Sequence, residues 1–272
     1  MRGGLFITIT SLVLCGAIVA QKVQFAPAEK SLVLERMKSI PESDRQRAAQ
    51  LKELFSAAGC TGSALTEQEV EGSEVPNIIC RLGTGESESV IVGAHYDRNS
   101  SPQRPLDNWS GASLLPALYQ SLRQRKRSHS FIFVAFADHG NDPAGAEFFA
   151  RHLSHAQLGR AEAMVNLDAL GLSPTKVWAA HSDKDLVQAL IVMVYALKLP
   201  ASQIDIAAAG NTDSDPFAAR HIPQITIHSL TQQNVGGATT QFRPNNYYDT
   251  YRLLCGYLAY LDQSLKPRPH TE

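Results

Sequence analysis

The chain has 272 residues, 44% of them hydrophobic and 19% charged, with a formal net charge of −1. This composition excludes a disordered chain, and a length of this order suits one α/β domain. The near-neutral charge excludes partners that need a strong basic field, such as nucleic acid or an anionic membrane surface.

Arg2 and the apolar stretch 5–19 read as an export signal cleaved after Ala20, with an uncleaved anchor as the alternative. Residues 1–20 are thus set apart as a signal peptide, and 21–272 are taken as a single domain. No membrane contact is expected beyond that signal. Export, secreted or periplasmic, means an oxidising compartment. Past the signal lie Cys60, Cys80 and Cys255. Cys60 and Cys80 could pair, and Cys255 reads as a buried thiol in the last helix pattern. No CxxC spacing exists, so cysteine-based zinc binding is not expected.

Along the chain, Ala48, Leu51, Leu54 and Phe55 recur at helical spacing over residues 44–58, and Gly59 ends the pattern. Residues 61–74 are polar and read as a surface connection. The short apolar runs 75–82 and 90–94, separated by Gly83, Thr84 and Gly85, read as a hairpin. Residues 110–122 form a helix with Leu114, Leu115, Leu118 and Leu122 on one face. The basic run from Arg123 to Arg127 is the solvated end of that helix, where cations complement the dipole. Residues 131–137 are continuously apolar, as in a strand buried on both faces.

Further on, the pattern predicts a helix over 144–153, strands over 163–167 and 176–180, and a helix over 183–197. It then predicts a strand over 204–208, a short helix over 215–220, a strand over 224–227 and a long terminal helix over 247–265. Residues 266–272 read as a frayed tail. This alternation predicts an α/β three-layer sandwich: a central, mostly parallel (mixed) sheet with helices on both faces.

In open α/β sheets, sites form at the carboxyl ends of strands. His95 and Asp97 follow the run 90–94, and Asp107 precedes a helix. Asp138 and His139 follow 131–137, and Asp168 follows 163–167. Imidazole and carboxylate groups therefore gather on one edge, the donor set a borderline divalent metal prefers. Each has a plainer reading as well: a polar strand end for His95 and Asp97, a helix cap for Asp107, a loop residue for His139. Trp109 could line a pocket or pack beneath the loop. His228, within an apolar strand pattern, reads as a satisfied core histidine.

The stretches around His95-Tyr96-Asp97, Asp107-Asn108-Trp109-Ser110-Gly111, Asn166-Leu167-Asp168 and Thr212 to Phe217, followed by Ile222-Pro223, stand in one order. Together they resemble the zinc aminopeptidase family, peptidase family M28, which includes bacterial leucyl aminopeptidases and glutamate carboxypeptidases. That resemblance implies two zinc ions bridged by one aspartate. His95, Asp168 and the bridging Asp107 would hold the first zinc, and Asp97 would orient His95 through its other ring nitrogen. For the second zinc the resemblance places His139 where the family has its glutamate base, Gly140 where it has a glutamate ligand, and Asn245 where it has its last histidine. One zinc is therefore expected rather than two, with His139, or else Asp138, as the base.

The implied function is an exported zinc-dependent aminopeptidase or exopeptidase acting on a peptide substrate through a single metal. The alternative is a catalytically inactive homologue that binds a peptide or a protein partner. Glutaminyl cyclisation, a third possibility in a related fold, also expects the missing glutamate ligand.

Overall fold

The computed structural model describes residues 23, 25–98, 105–139, 143–205, 211–231 and 241–266, with backbone alone for 105–107. The signal segment, Gly140 and the stretch 267–272 lie outside the described residues.

The chain begins with α1 (Lys30–Glu35) and α2 (Asp44–Ala57), then β1 (Leu65–Gln68), β2 (Asn77–Leu82) and β3 (Ser89–His95). Helices α3 (Pro105–Ala112) and α4 (Leu115–Arg123) lead to β4 (Ser130–Phe136), α5 (Ala144–Arg151) and α6 (His155–Arg160). There follow β5 (Ala161–Leu167), β6 (Thr175–Val177), α7 (Lys184–Leu197), β7 (Ala201–Gln203), α8 (Asp215–Ala218), β8 (Gln224–His228) and α9 (Pro244–Ser264). Among the described residues, eight strands join one sheet in the order β1-β2-β4-β3-β5-β8-β6-β7. Pairing is parallel for β4-β3-β5-β8 and for β6-β7, and antiparallel for β1-β2, β2-β4 and β6-β8. The sheet is mixed and mostly parallel, as expected.

Strand alternation sorts the core into two layers. From β4, Phe131, Phe133 and Ala135 face a large cluster with Leu51, Phe55, Leu118, Leu190, Leu254 and Leu258 of the helices on one side. Val134 and Phe136 face a smaller cluster with Phe149 and Phe217 on the other. Because both faces of β4 are apolar, it needs an interior place in the sheet. It takes one between β2 and β3, so the hairpin expected of those two strands does not form. The link from β3 to β4 runs through α3 and α4, which makes those strands parallel neighbours. The short segment between β2 and β3 arches over the start of β4, where the Ser130 N–H donates to Glu88 O at 2.8 Å.

Several smaller expectations are corrected. The connection 61–74 contains β1, which pairs with β2 at the sheet edge. The helix read as 110–122 is two helices, because Pro116 has no N–H to continue the ladder across Ser113 and Leu114. The strand read as 176–180 is Thr175–Val177 followed by a 3-10 turn at Ala179–His181. Ala201–Gln203 forms a short strand before the one expected at 204–208, most of which falls on residues 206–210, outside the described residues. Cys60 and Cys80 form a disulfide joining the end of α2 to β2, and Cys255 is a buried free thiol. No described helix is long and apolar enough to cross a membrane.

Candidate functional site

The carboxyl ends of β3, β4, β5 and β8 lie side by side, so the residues following them converge. Two glycines set how closely the helices approach this edge. A side chain at Gly111 of α3 would lie 2.4 Å from the Leu167 carbonyl, so glycine lets α3 rest on the end of β5. A side chain at Gly145 would lie 2.1 Å from the Ala137 carbonyl and 2.6 Å from Asn77 Oδ1. Asn77 is itself fully buried, accepting from the Ala137 N–H and donating to the Gly145 carbonyl, both at 2.9 Å. It ties the end of β4 to α5. Asp138 and Ala169, just beyond β4 and β5, carry φ of 48° and 45°, a left-handed backbone that non-glycine residues adopt at a cost.

The turn after β3 is held from both sides. The buried Arg47 guanidinium donates to the carbonyls of Tyr96 at 2.9 Å and Asp97 at 3.1 Å. Asn108 of α3 also donates to the Asp97 carbonyl, at 2.7 Å. Trp109 is fully buried and donates its indole N–H to the Arg36 carbonyl at 2.9 Å, so it packs beneath the loop rather than lining a pocket.

At the centre is a carboxylate shared by two imidazoles. His95 Nδ1 lies 2.7 Å from Asp213 Oδ2, and His139 Nδ1 lies 3.0 Å from Asp213 Oδ1. The rings stack with centroids 4.2 Å apart. Burial of His95 opposes its positive charge, but the Asp213 carboxylate outweighs it and lifts the ring to about 10, with Asp168 and Asp97 adding to the effect. Burial likewise opposes the charge on Asp213, yet His139 and His95 hold its carboxyl well below the usual carboxylate range. An ionised carboxylate only accepts hydrogen bonds, so both Nδ1 atoms are donors. His95 Nε2 faces Asp168 Oδ1 at 3.9 Å, beyond hydrogen-bond reach.

The structure thus brings His95, His139 and Asp168 together. Asp107 lies in the described backbone of α3, but its side chain is outside what the structure describes. The expected role of Asp97 is corrected. Its carboxylate accepts from the His139 backbone N–H at 3.0 Å, while the His95 ring nitrogen it was to hold is taken by Asp213. The turn directs Asp97 towards the end of β4 instead of back along its own strand. Sequence reasoning missed Asp213. Its motif, Thr212 to Phe217, stood in the sequence, but a carboxylate 118 positions from its imidazole partner carries no local signal.

His228 is buried, but only one of its nitrogens is satisfied: Nδ1 accepts from the Leu230 N–H at 3.1 Å, and Nε2 has no partner among the described residues. Burial lowers the ring to about 4, so it is a neutral imidazole. Asn245, where the resemblance calls for a ligand, accepts from Lys30 Nζ at 2.7 Å on the exposed surface.

The sequence profile of peptidase family M28 matches residues 77–252, which runs from β2 into α9 and includes His95, Asp97, His139, Asp168 and Asp213. The chain belongs to peptidase family M28. This M28 chain is 26% identical over 156 residues to aminopeptidase YwaD of Bacillus subtilis, covering 56% of its own length and 33% of that protein. It therefore spans about a third of the curated relative it matches. Its fold is similar to that of the LapA aminopeptidase of Legionella pneumophila, with a TM-score of 0.70 at 14% identity, covering 91% of this chain and 79% of that one. It is also similar to BSAP, a zinc aminopeptidase from Bacillus subtilis, with a TM-score of 0.58 at 18% identity, covering 73% and 52% of the two chains. Among the described residues of this M28 chain, His95, His139 and Asp213 form a group of metal-ligating type whose donor atoms lie within 4.8 Å of one another.

Proposed function

We propose that the chain is an exported, zinc-dependent aminopeptidase or exopeptidase that cleaves peptide bonds through one metal. In this reading His95 Nε2, Asp168 and Asp107 hold the zinc, and His139 is the base. The observation that carries it is the orientation of His95. Its Nδ1 is engaged by a buried carboxylate, and its Nε2 is turned to Asp168 at a separation too long for a hydrogen bond. That is the arrangement of a metal-binding histidine whose other nitrogen is held by a carboxylate. The mix of imidazole and carboxylate donors suits zinc.

Bound there, the zinc would supply a Lewis acid that polarises the scissile carbonyl. The chain's own residues do the rest. His139 Nε2 takes a proton as water oxygen bonds to the carbonyl carbon. It returns that proton to the departing amine as the C–N bond breaks, so peptide and water give two fragments with no other reactant. The Cys60–Cys80 disulfide supports an oxidising, extracytoplasmic location.

The second reading is an inactive homologue that binds a peptide or a partner. It is favoured by Gly140 and by Asn245, whose amide is engaged with Lys30. The two readings separate on zinc per chain, measured on mature protein purified without chelator, together with hydrolysis of aminoacyl-peptide substrates. One zinc with turnover supports the peptidase. Neither zinc nor turnover after dialysis against micromolar zinc leaves the binding module.

A further inference from the structure

We propose that Asp213 is the positioning residue of this site: one carboxylate fixes both imidazoles, aiming His95 at the metal position and His139 at the scissile bond. The proposal rests on the single-zinc reading for its consequences in catalysis, but the geometry behind it does not.

Asp213 is 1% exposed, so its charge has almost no access to water and must be satisfied by the protein. Each of its oxygens has one imidazole partner, at 2.7 and 3.0 Å. The segment carrying it is itself anchored. Ser214 Oγ joins Thr212 Oγ1 at 2.7 Å and Thr226 Oγ1 of β8 at 2.9 Å, all three residues being buried. The Thr212 N–H donates to Asp215 at 2.8 Å. A chain of hydroxyl contacts thus ties the segment that bears the carboxylate to the central sheet.

Two consequences follow. With both Nδ1 atoms bearing protons toward Asp213, the lone pair of a neutral His139 lies on Nε2, the tautomer a base needs. And the rings stack with centroids 4.2 Å apart, so a single carboxylate sets the place of both. The competing arrangement has the same three side chains surrounding a metal as ligands. It differs in a checkable way, since His139 and Asp213 would then both be indispensable for zinc.

The deciding experiment combines two readouts. Long-range 1H–15N NMR on zinc-free protein should show His139 protonated at Nδ1 in the parent chain, with that preference lost in Asp213→Asn. An unchanged His139 tautomer in the variant would overturn the proposal. Zinc affinity, measured by competition with a chromophoric chelator, should fall about 10- to 100-fold in Asp213→Asn, the usual effect of removing the partner of a metal-bound histidine. His139→Ala, which leaves the buried carboxylate paired with His95 and so does not depend on Asp213→Asn folding, should bind zinc within about twofold of the parent, a change far below that range. Abolition of zinc binding in His139→Ala would overturn positioning in favour of direct ligation. If the parent chain binds no zinc, the single-zinc reading falls, and the tautomer measurement still decides the role of Asp213.

Discussion

Two histidine–aspartate pairs lie at opposite edges of the same sheet, and they are built differently. At the amino-terminal edge, Asp262 of α9 accepts from the backbone N–H groups of Ser128 and His129, both at 2.9 Å, and His129 Nδ1 donates to the Asp262 carbonyl at 3.0 Å. Its partners are mostly main chain, so the pair works as a staple between α9 and the start of β4. At the carboxyl edge, both partners of Asp213 are side chains, and one of them turns its second nitrogen toward a further carboxylate. Equivalent residue types thus give a closed structural lock at one edge and a group with unused capacity at the other. What distinguishes them is where the remaining donor and acceptor atoms point.

That contrast predicts effects of very different size. The largest is Asp168→Ala, which should reduce bound zinc from one per chain to none while circular dichroism shows the fold intact. Unchanged zinc content would show that the metal lies elsewhere. Next, His139→Ala should lower kcat by about 10²- to 10⁴-fold, the range for a general base, with zinc retained. An unaltered turnover rate would end its assignment as base.

At the opposite edge, Asp262→Ala should lower stability by about 1–3 kcal/mol through the backbone donors it strands, as read from urea unfolding. Zinc content and activity should not change, and a loss of zinc would show that the two edges are coupled. The smallest effect is in pH. The neighbouring Asp262 raises the ring of His129 by hydrogen bonding, against the opposing effect of burial, with Glu162 adding to it. A raised folded value means the stabilisation is complete below the unfolded histidine value of about 6.5 and is lost as pH rises through the folded one. Burial opposes the charge on Asp262, but His129 and the two backbone N–H groups lower its carboxyl, so its own contribution is present above about 3.9 and lost as pH falls through the folded value. The staple should therefore be strongest between about pH 4 and 6.5. His129→Gln should flatten the alkaline side of the stability–pH curve, and an unchanged curve would remove His129 as its cause.

Much of the architecture was legible because the sheet's interior strands are apolar on both faces. The run at Phe131 to Phe136 could only be central, and the helices between strands forced parallel pairing. What failed was pairing inferred from nearness in sequence. β2 and β3 are neighbours in the chain, yet β4 separates them, since the burial of two apolar faces outweighs the economy of a short turn. β1 escaped notice because Leu65, Thr66, Glu67 and Gln68 form a half-exposed edge strand with a single apolar residue. At the site, residues next to strand ends could be found by position: His95, His139 and Asp168 converge as their placement suggested. Asp213 could not, because its significance is set by two partners reached only through the fold. Asp97 was assigned to the imidazole nearest in sequence, whereas the turn held by Arg47 and Asn108 points it at the His139 backbone.

The insertion of β4 between β2 and β3 also orders events in time. When the chain emerges from the ribosome, β2 and β3 are complete well before residue 130, but the place each will occupy must stay open for a strand not yet made. The interior of the sheet, and with it the edge that carries His95 and His139, can close only after β4 arrives and joins both of its neighbours. Until then the apolar faces of β3 remain exposed to solvent. Strands that wait for later partners are open to aggregation, so substitutions that weaken β4 should lower the yield of folded protein before they alter its chemistry.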